Sequence, residues 1–229
     1  MKNVKKVAFS IYRYRRKRRS KPFYERFVYE VDPFTTVLDI LERIRNERDP
    51  SLIFRHSCHH GSCGTCACII NGKERLACIT KVLDLETDTV QIEPLKKMEK
   101  IGDIAIFPSH LFANIFPEWT YVRKSEWNSE ASVPEGLREF TRLESCIECG
   151  ACVSACPVGG SFVGPAALAL LNRERENVPQ KEKDLLSLAG DSGGVWKCER
   201  ALECSRVCPS GVYPARHIME LRKKIKNTQ

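Results

Sequence analysis

The stretch Cys146-Ile-Glu-Cys149-Gly-Ala-Cys152-Val-Ser-Ala-Cys156-Pro157 decides the fold of the second half of this 229-residue chain. Its four cysteines follow the bacterial iron–sulfur spacing C-x2-C-x2-C-x3-C-P. In that arrangement the first three thiolates bind one cluster and the fourth binds another. The spacing therefore predicts that Cys156 serves a second cluster, whose other ligands lie elsewhere in the chain.

A second run of cysteines repeats the spacing of the first at every step. It differs at one position, where Ala201 stands in place of the second cysteine. An internal repeat of this kind indicates two related cluster motifs in the C-terminal half of the chain. The aligned positions are Cys146 with Cys198, Cys149 with Ala201, Cys152 with Cys204, and Cys156-Pro157 with Cys208-Pro209.

The crossing of the fourth thiolate divides these cysteines between a complete set and an incomplete one. The complete set predicts a [4Fe–4S] cluster held by Cys146, Cys149, Cys152 and Cys208. The incomplete set predicts a [3Fe–4S] cluster, which lacks the iron that a cysteine at position 201 would bind; its ligands are Cys156, Cys198 and Cys204. A [4Fe–4S] cluster with a non-cysteine fourth ligand is the alternative for this site.

A different cysteine pattern lies upstream and predicts a third kind of cluster. Four cysteines are spaced C-x4-C-x2-C…C, which is the plant-type [2Fe–2S] pattern. Gly61 and Gly64 permit the turns that wrap a backbone around a small cluster. Asn71-Gly72 predicts a hairpin that returns the last cysteine to the loop. The predicted ligands are Cys58, Cys63, Cys66 and Cys78.

Cys68 and three histidines near this motif are weaker candidates. Cys68 follows Cys66 by two residues on a predicted strand, and with four ligands already present we interpret it as a small buried thiol rather than a ligand. His56, His59 and His60 raise the alternative of a Rieske centre, in which two histidines replace two cysteines. Because four cysteines are available, we interpret the histidines as surface residues of the loop.

The twelve cysteines of the chain fit metal binding better than disulfide bonding. No run approaches the roughly 18–20 consecutive apolar residues of a membrane span. No apolar segment of a secretory signal follows the arginine-rich start. We therefore expect a cytoplasmic chain, where reducing conditions favour thiolate ligands over disulfides.

The net charge of +8 comes from one local tract. Residues 1–22 hold ten of the 37 basic residues and no acidic residue, which leaves 27 basic against 29 acidic residues in the remainder. The tract from Arg13 to Lys21 is interpreted as a solvated hairpin loop. Lipid headgroups or an acidic partner surface are a second interpretation. Nucleic acid is the weakest, since no stacking aromatic residues are interleaved.

Outside the cysteine motifs, strand patterns give way to helix patterns. Apolar alternation and β-branched residues predict strands over residues 4–14, 23–31 and 90–94, and Thr35-Thr36 predicts the cap of an amphipathic helix that ends at Asp49-Pro50. Residues 96–134 predict an irregular connecting segment. Helices are predicted over residues 136–145, 166–176, 180–188 and 214–226. The predicted fold class is α+β, with a [2Fe–2S] domain over residues 1–105 and an all-helical domain with two clusters over residues 106–229.

Further stretches complete a resemblance that covers nearly the whole chain. They are Phe9-Ser-Ile-Tyr-Arg-Tyr14, Asp49-Pro-Ser-Leu-Ile-Phe-Arg55 and Leu76-Ala-Cys78-Ile-Thr80. With the three cysteine sets in this order, the chain resembles the iron–sulfur subunit of the succinate dehydrogenase / fumarate reductase (succinate:quinone oxidoreductase) family. The resemblance implies a plant-ferredoxin-like β-grasp domain followed by a bacterial-ferredoxin-like domain, the alpha-helical ferredoxin fold.

The resemblance also implies partners and an order for the clusters. It implies a flavoprotein subunit with covalently held FAD and a membrane anchor with a quinone site, with or without haem. Single electrons would pass between FAD and quinone through the [2Fe–2S], [4Fe–4S] and [3Fe–4S] clusters in that order. No residue of this chain would be catalytic, and no nucleic acid is expected. The chain would lie peripherally on the cytoplasmic side of the cell membrane.

Two departures from the family pattern concern the quinone end. Val158-Gly-Gly-Ser161 is shorter than the aromatic-rich stretch of the family, with only Phe162 nearby, and Glu199 stands where the family often has histidine. These departures motivate an alternative, a soluble relative that exchanges electrons with a thiol/disulfide or another non-quinone partner. A nucleic-acid-binding protein with structural clusters is the remote alternative from another functional class.

Overall fold

The computed structural model describes residues 4–15, 21–107 and 145–228. The chain divides into two compact units. Among the described residues, the first unit contains those up to Phe107 together with Ile147–Ala155, and the second contains Ser145, Cys146 and residues 156–228. The predicted boundary between residues 105 and 106 stays a prediction. Most of the predicted connecting segment, and nearly all of the predicted helix over residues 136–145, lie outside the described residues.

A five-stranded mixed sheet forms the body of the first unit. Its strands are β1 (Lys5–Arg13), β2 (Phe23–Val31), β3 (Ala67–Ile70), β4 (Lys73–Leu76) and β5 (Thr89–Glu93), in the spatial order β2-β1-β5-β3-β4. The central pair, β1 and β5, is parallel, and the other neighbours are antiparallel. Within the predicted connecting segment, β6 (Lys100–Gly102) and β7 (Ala105–Ile106) form a second, two-stranded sheet.

Helix α1 (Val37–Glu47) begins at the predicted cap. The backbone N–H of Asp39 donates to the Thr36 hydroxyl (3.2 Å), and the Thr36 N–H donates to the Asp39 carboxylate (2.8 Å). This capping box satisfies two N–H groups that the first turn leaves without helical partners. The helix buries one apolar face, formed by Val37, Leu38, Ile40, Leu41 and Ile44. The predicted amphipathic helix is confirmed.

Arg13 is not a solvated loop residue, which corrects the interpretation of the basic tract at its start. Its side chain is 3% exposed and pairs with Asp103, Glu25 and Asp49. Asp103 is fully buried and also accepts from the backbone N–H groups of Tyr14 (2.9 Å) and Ile53 (2.8 Å). A buried charge requires such partners, so these carboxylates explain why Arg13 can be buried. Residues 16–20 of the tract lie outside the described residues.

Helices form the second unit around one apolar core. They are α3 (Pro165–Asn177), α4 (Glu182–Gly190), α5 (Glu203–Arg206) and α6 (Pro214–Thr228), whereas α2 (Ala151–Ala155) lies in the first unit. The predicted helices over residues 166–176, 180–188 and 214–226 are confirmed within a few residues. Buried apolar side chains of α3, α4 and α6 meet in the core, among them Leu168, Leu171, Leu185, Ile218 and Leu221. Across residues 4–15, 21–107 and 145–228, no helix has the length and apolar character that a bilayer crossing requires.

Candidate iron–sulfur sites

The first cysteine loop directs backbone N–H groups at its own sulfur atoms. The N–H groups of Ser62 (3.3 Å) and Cys63 (3.4 Å) donate to the Cys58 sulfur, and the Thr65 N–H donates to the Cys63 sulfur (3.5 Å). Gly61 and Gly64 adopt positive φ, as the predicted turns require. N–H donors stabilise negative charge on sulfur, so the loop suits thiolate ligands.

The hairpin brings the fourth cysteine of this set to the loop. Asn71 and Gly72 both have positive φ and join β3 to β4 as predicted. The Ala77 N–H then donates to the Cys66 carbonyl (3.2 Å). Cys66 and Cys78 are both buried, and their thiols are within hydrogen-bonding reach of each other.

The thiols of this set differ in how readily they ionise. A hydrogen bond from the backbone of His60 lowers the pKa of Cys58 most, burial opposes it, and further hydrogen bonds from Cys63 and Ser62 bring the pKa to about 5. Burial raises the pKa of Cys66 to about 12. A thiol must lose its proton to bind iron, so Cys66 needs the charge of the metal to become a ligand. The four sulfurs together are the donor set that a [2Fe–2S] cluster takes.

Cys68 is a buried thiol, as predicted. Its side chain is 1% exposed in β3, and burial raises its pKa. A neutral thiol in an apolar setting behaves as a small hydrophobic residue.

The histidines near the loop have protein partners. His56 Nδ1 lies 3.1 Å from His59 Nε2 and 3.5 Å from a Glu42 oxygen, an arrangement with the dimensions of a metal site. However, Arg45 lies 3.1 Å from His56 Nε2. Because arginine can only donate, Nε2 of a neutral His56 ring accepts this hydrogen bond and Nδ1 carries the proton. Nδ1 faces Glu42, and a protonated nitrogen there cannot bind a metal ion. His60 Nδ1 is paired with the Cys58 carbonyl. These contacts agree with the interpretation of the histidines as loop residues.

Three cysteines of the second unit line one pocket. Cys156, Cys198 and Cys204 surround it together with apolar side chains that include Phe162 and Ile218. Burial raises the pKa of Cys204 to about 11, and the nearby thiols of Cys156 and Cys198 act in the same direction, which places the three sulfurs within electrostatic reach. The remaining lining residues are Pro157, Val158, Pro165, Glu199, Arg200, Ala201, Leu202, Glu203 and Ala215. Three thiols with an alanine at the fourth position are the donor set that a [3Fe–4S] cluster takes.

The four cysteines predicted to hold the [4Fe–4S] cluster are divided between the units. Cys149 and Cys152 belong to the first unit, beside and within α2. Cys146 and Cys208 belong to the second unit, where both pack half-buried against its core. The Val212 N–H donates to the Cys208 sulfur (3.3 Å), which is again a thiolate environment.

The internal repeat is present in the backbone as well as in the spacing. Glu148 and Gly150 in the first run have φ of 53° and 82°, and the aligned Arg200 and Leu202 have φ of 58° and 64°. A short helix follows in each case, α2 in the first run and α5 in the second. The two runs therefore share one local fold, although only the first has cysteine at its second ligand position.

Arg222 supports the second run and was missed by sequence reasoning. Its guanidinium, 9% exposed, donates to the carbonyls of Val195 (2.6 Å from Nη2) and Cys198 (2.6 Å), with a longer contact to Trp196 (3.4 Å). One basic side chain thus holds the turn that presents Cys198. No motif marks Arg222, because it reaches this turn from α6.

Comparisons with known proteins match both halves of the chain to cluster-binding domains. The family description "2Fe-2S iron-sulfur cluster binding domain" matches residues 8–113, and "4Fe-4S dicluster domain" matches residues 142–212. The fumarate reductase iron–sulfur subunit of Wolinella succinogenes is 32% identical over 217 residues, which cover 90% of this chain and 91% of that protein. The mitochondrial succinate dehydrogenase (ubiquinone) iron–sulfur subunit of Dictyostelium discoideum is 33% identical over 236 residues, with 94% of this chain and 81% of that protein covered.

The fold has a counterpart among solved structures. A chain of the Mycobacterium smegmatis Sdh1 complex in the apo form superposes with a TM-score of 0.76 at 21% identity, over 98% of this chain and 97% of that one. The predicted fold class is confirmed as α+β, with a β-rich [2Fe–2S] domain followed by a helical dicluster domain. On sequence identity and coverage, this chain belongs to the family of succinate dehydrogenase and fumarate reductase iron–sulfur subunits.

Proposed function

We propose that this chain is the electron-transfer subunit of a succinate dehydrogenase or fumarate reductase complex. It passes single electrons between the FAD of a flavoprotein subunit and a quinone at a membrane anchor. The observation that carries the proposal is the pocket of Cys156, Cys198 and Cys204 beside Ala201. A three-thiol site and a four-cysteine run of the same local fold, present in one chain, suit a series of unlike redox centres.

The proposed ligands follow the three cysteine sets. Support for the [2Fe–2S] set comes from the N–H groups aimed at the sulfurs of the first loop. Support for the other two comes from the shared backbone of the runs and from the three-thiol pocket. The sets are Cys58, Cys63, Cys66 and Cys78 for [2Fe–2S]; Cys146, Cys149, Cys152 and Cys208 for [4Fe–4S]; and Cys156, Cys198 and Cys204 for [3Fe–4S].

The residues of this chain bind and tune the clusters rather than react with substrate. Bound clusters supply one-electron steps between a two-electron flavin and the acceptor. Backbone N–H groups at Cys58, Cys63 and Cys208 stabilise negative charge on the ligand sulfurs, which raises the reduction potential. Burial of Cys66 and Cys204 acts on the reduction potentials of their respective clusters by excluding water.

The proposed partners hold the rest of the chemistry. A flavoprotein subunit would carry FAD and interconvert succinate and fumarate, and an anchor subunit would carry the quinone site and any haem. The chain would then be a peripheral protein on the cytoplasmic side of the cell membrane, held there by the anchor. The relatives named above support membership of such complexes.

A soluble electron-transfer subunit with a non-quinone acceptor is the second candidate. Glu199, which replaces a histidine frequent in the family, lines the three-thiol pocket at the end proposed to meet the acceptor. A carboxylate there changes the charge that an acceptor would meet. A thiol/disulfide partner is the acceptor class for this candidate.

One purification tests both candidates. The chain is isolated from native membranes and from the soluble fraction, co-purifying subunits are identified, and succinate–quinone activity is assayed. Our proposal expects a flavoprotein and an anchor in the membrane fraction, with quinone-dependent activity. Activity confined to the soluble fraction and independent of quinone would replace our proposal with the second candidate.

A further inference from the structure

Gly64 brings the first cysteine loop unusually close to the backbone that carries Cys149. A methyl group at Gly64 would lie 2.7 Å from the Ile147 carbonyl oxygen, 2.8 Å from Cys149 Cβ and 3.0 Å from Cys149 Cα. Carbon atoms in good contact lie about 3.5–4.0 Å apart. The atoms that a methyl group would meet belong to the backbone or are fixed to it, so no side-chain rotation relieves the clash. Only glycine permits this approach.

The same segment is held to the first unit at a second place. The Ser154 hydroxyl donates to the Glu74 carboxylate (2.8 Å) and accepts from the Lys96 N–H (2.9 Å). Ser154 and Glu74 are 3% and 8% exposed, so the pair is sheltered from competing water. Gly64 and Ser154 thus fix Ile147–Ala155 on both sides of Cys152.

We infer that Gly64 is a positioning residue for electron transfer, because the absence of a side chain there lets the first cysteine loop pack directly against the backbone of Cys149. The inference rests on the proposed ligands, which assign Cys63 and Cys66 to the [2Fe–2S] site and Cys149 to the [4Fe–4S] site. The step that it governs moves one electron from the reduced first centre to the oxidised second centre, with no proton and no other reactant. A side chain at position 64 would force the two backbones apart.

The test compares Gly64→Ala with Gly72→Ala in the complex purified from membranes. Gly72 has the same backbone requirement, with φ +76° against +68° for Gly64, but a methyl group there meets nothing within 4 Å. The first readout is the microwave power saturation of the reduced [2Fe–2S] signal with the neighbouring cluster also reduced. We expect Gly64→Ala to weaken this relaxation enhancement. The second readout is the rate of electron transfer between the centres, which we expect to fall by about tenfold or more, since a misplacement of about 1 Å can cost up to about a hundredfold in rate. Gly72→Ala should match the wild type in both.

The outcomes separate this inference from the proposed function. Intact signals of both clusters in Gly64→Ala, with wild-type relaxation and rate, would overturn the inference. If Gly64→Ala does not assemble, Ser154→Ala is the substitute test, because it loosens the same segment without adding bulk. We expect it to change the relaxation and the transfer rate in the same direction as Gly64→Ala but by less. Wild-type values of both in Ser154→Ala would overturn the inference. A wild-type protein that lacks the two clusters by iron analysis and paramagnetic resonance would instead overturn the proposed function.

Discussion

The two cysteine runs share a backbone and differ in the side chains that it presents. Both have left-handed residues at the second and fourth positions after the leading cysteine, and both continue into a short helix. Cys149 and Gly150 in the first run correspond to Ala201 and Leu202 in the second. The local fold therefore does not depend on the fourth thiol. What the second run loses is a ligand, and the expected consequence is a different cluster on the same scaffold.

The largest expected effect comes from restoring the missing ligand. Ala201→Cys places a fourth thiol at the pocket of Cys156, Cys198 and Cys204. We expect the [3Fe–4S] signal of the oxidised protein to disappear, the iron content to rise by one atom per chain and the reduction potential of the site to fall. Electron paramagnetic resonance with a redox titration measures the signal and the reduction potential, and iron analysis measures the iron content. Ala201→Ser is the control and should keep the [3Fe–4S] signal. A wild-type protein that already shows a [4Fe–4S] centre at this site would contradict the conclusion that the missing ligand gives the second run a different cluster.

Loss of the Arg222 side chain, which holds the turn of the second run, has the next largest expected effect. Arg222→Leu removes a guanidinium that donates to the buried carbonyl of Val195 and to the partly buried carbonyl of Cys198. We expect the free energy of unfolding to fall by about 3 kcal/mol, since each hydrogen bond to a charged group contributes roughly 1.5–3 kcal/mol. The [3Fe–4S] signal should be lost before the [2Fe–2S] signal during urea unfolding. Arg222→Lys keeps the charge but not the forked geometry and should show an intermediate loss. Equal loss of both signals in Arg222→Leu would mean that the support is not specific to this run.

The local features of both units could be predicted from the sequence because their determinants are local. Ligand spacing, the Asn71-Gly72 turn and the Thr36 cap each depend on residues a few positions apart. The burial of Arg13 could not be predicted, since its partner Asp103 is 90 residues away and a run of basic residues indicates a solvated loop. Arg222 was missed for the same reason. The placement of Ile147–Ala155 in the first unit depends on a glycine and a serine whose neighbours exist only in the folded chain.

The acid stability of the unit that carries Cys149 and Cys152 depends on the Asp49 carboxylate. Burial alone would raise the pKa of Asp49, but hydrogen bonds from Ser51 and Arg13 lower it to about 2, below its usual 3.8. A depressed carboxylate pKa contributes stability that is present above about pH 4 and is lost as the pH falls through 2. Asp49→Asn should lower the free energy of unfolding at pH 7 by about 1–2 kcal/mol, allowing for partial exposure. We expect its acid-unfolding midpoint, followed by circular dichroism, to lie at higher pH than that of the wild type.

Asp88→Asn is the matched control for the acid experiment. Asp88 pairs with Lys5 at 2.8 Å, and its side chain is 86% exposed. A surface ion pair contributes little, so its midpoint should remain close to that of the wild type. Equal shifts in the two variants would show that net charge, and not the buried pair with Arg13, controls the acid response.

The smallest expected effect tests the second difference between the runs, at Gly150 and Leu202. Leu202 has a positive φ of 64°, a backbone conformation that is unfavourable for leucine. Its side chain is 47% exposed, so burial offsets little of this strain. Leu202→Gly should raise the free energy of unfolding by about 0.5–1 kcal/mol, and Gly150→Ala should lower it by about 1 kcal/mol or more. Leu202→Ala removes the side chain but keeps the strain, so it should not stabilise the protein. Denaturant unfolding of the three variants measures the difference. If Leu202→Ala stabilised the protein as much as Leu202→Gly, the destabilisation at this position would come from the exposed leucine side chain and not from its positive φ. The left-handed position would then accept a non-glycine residue equally well in both runs.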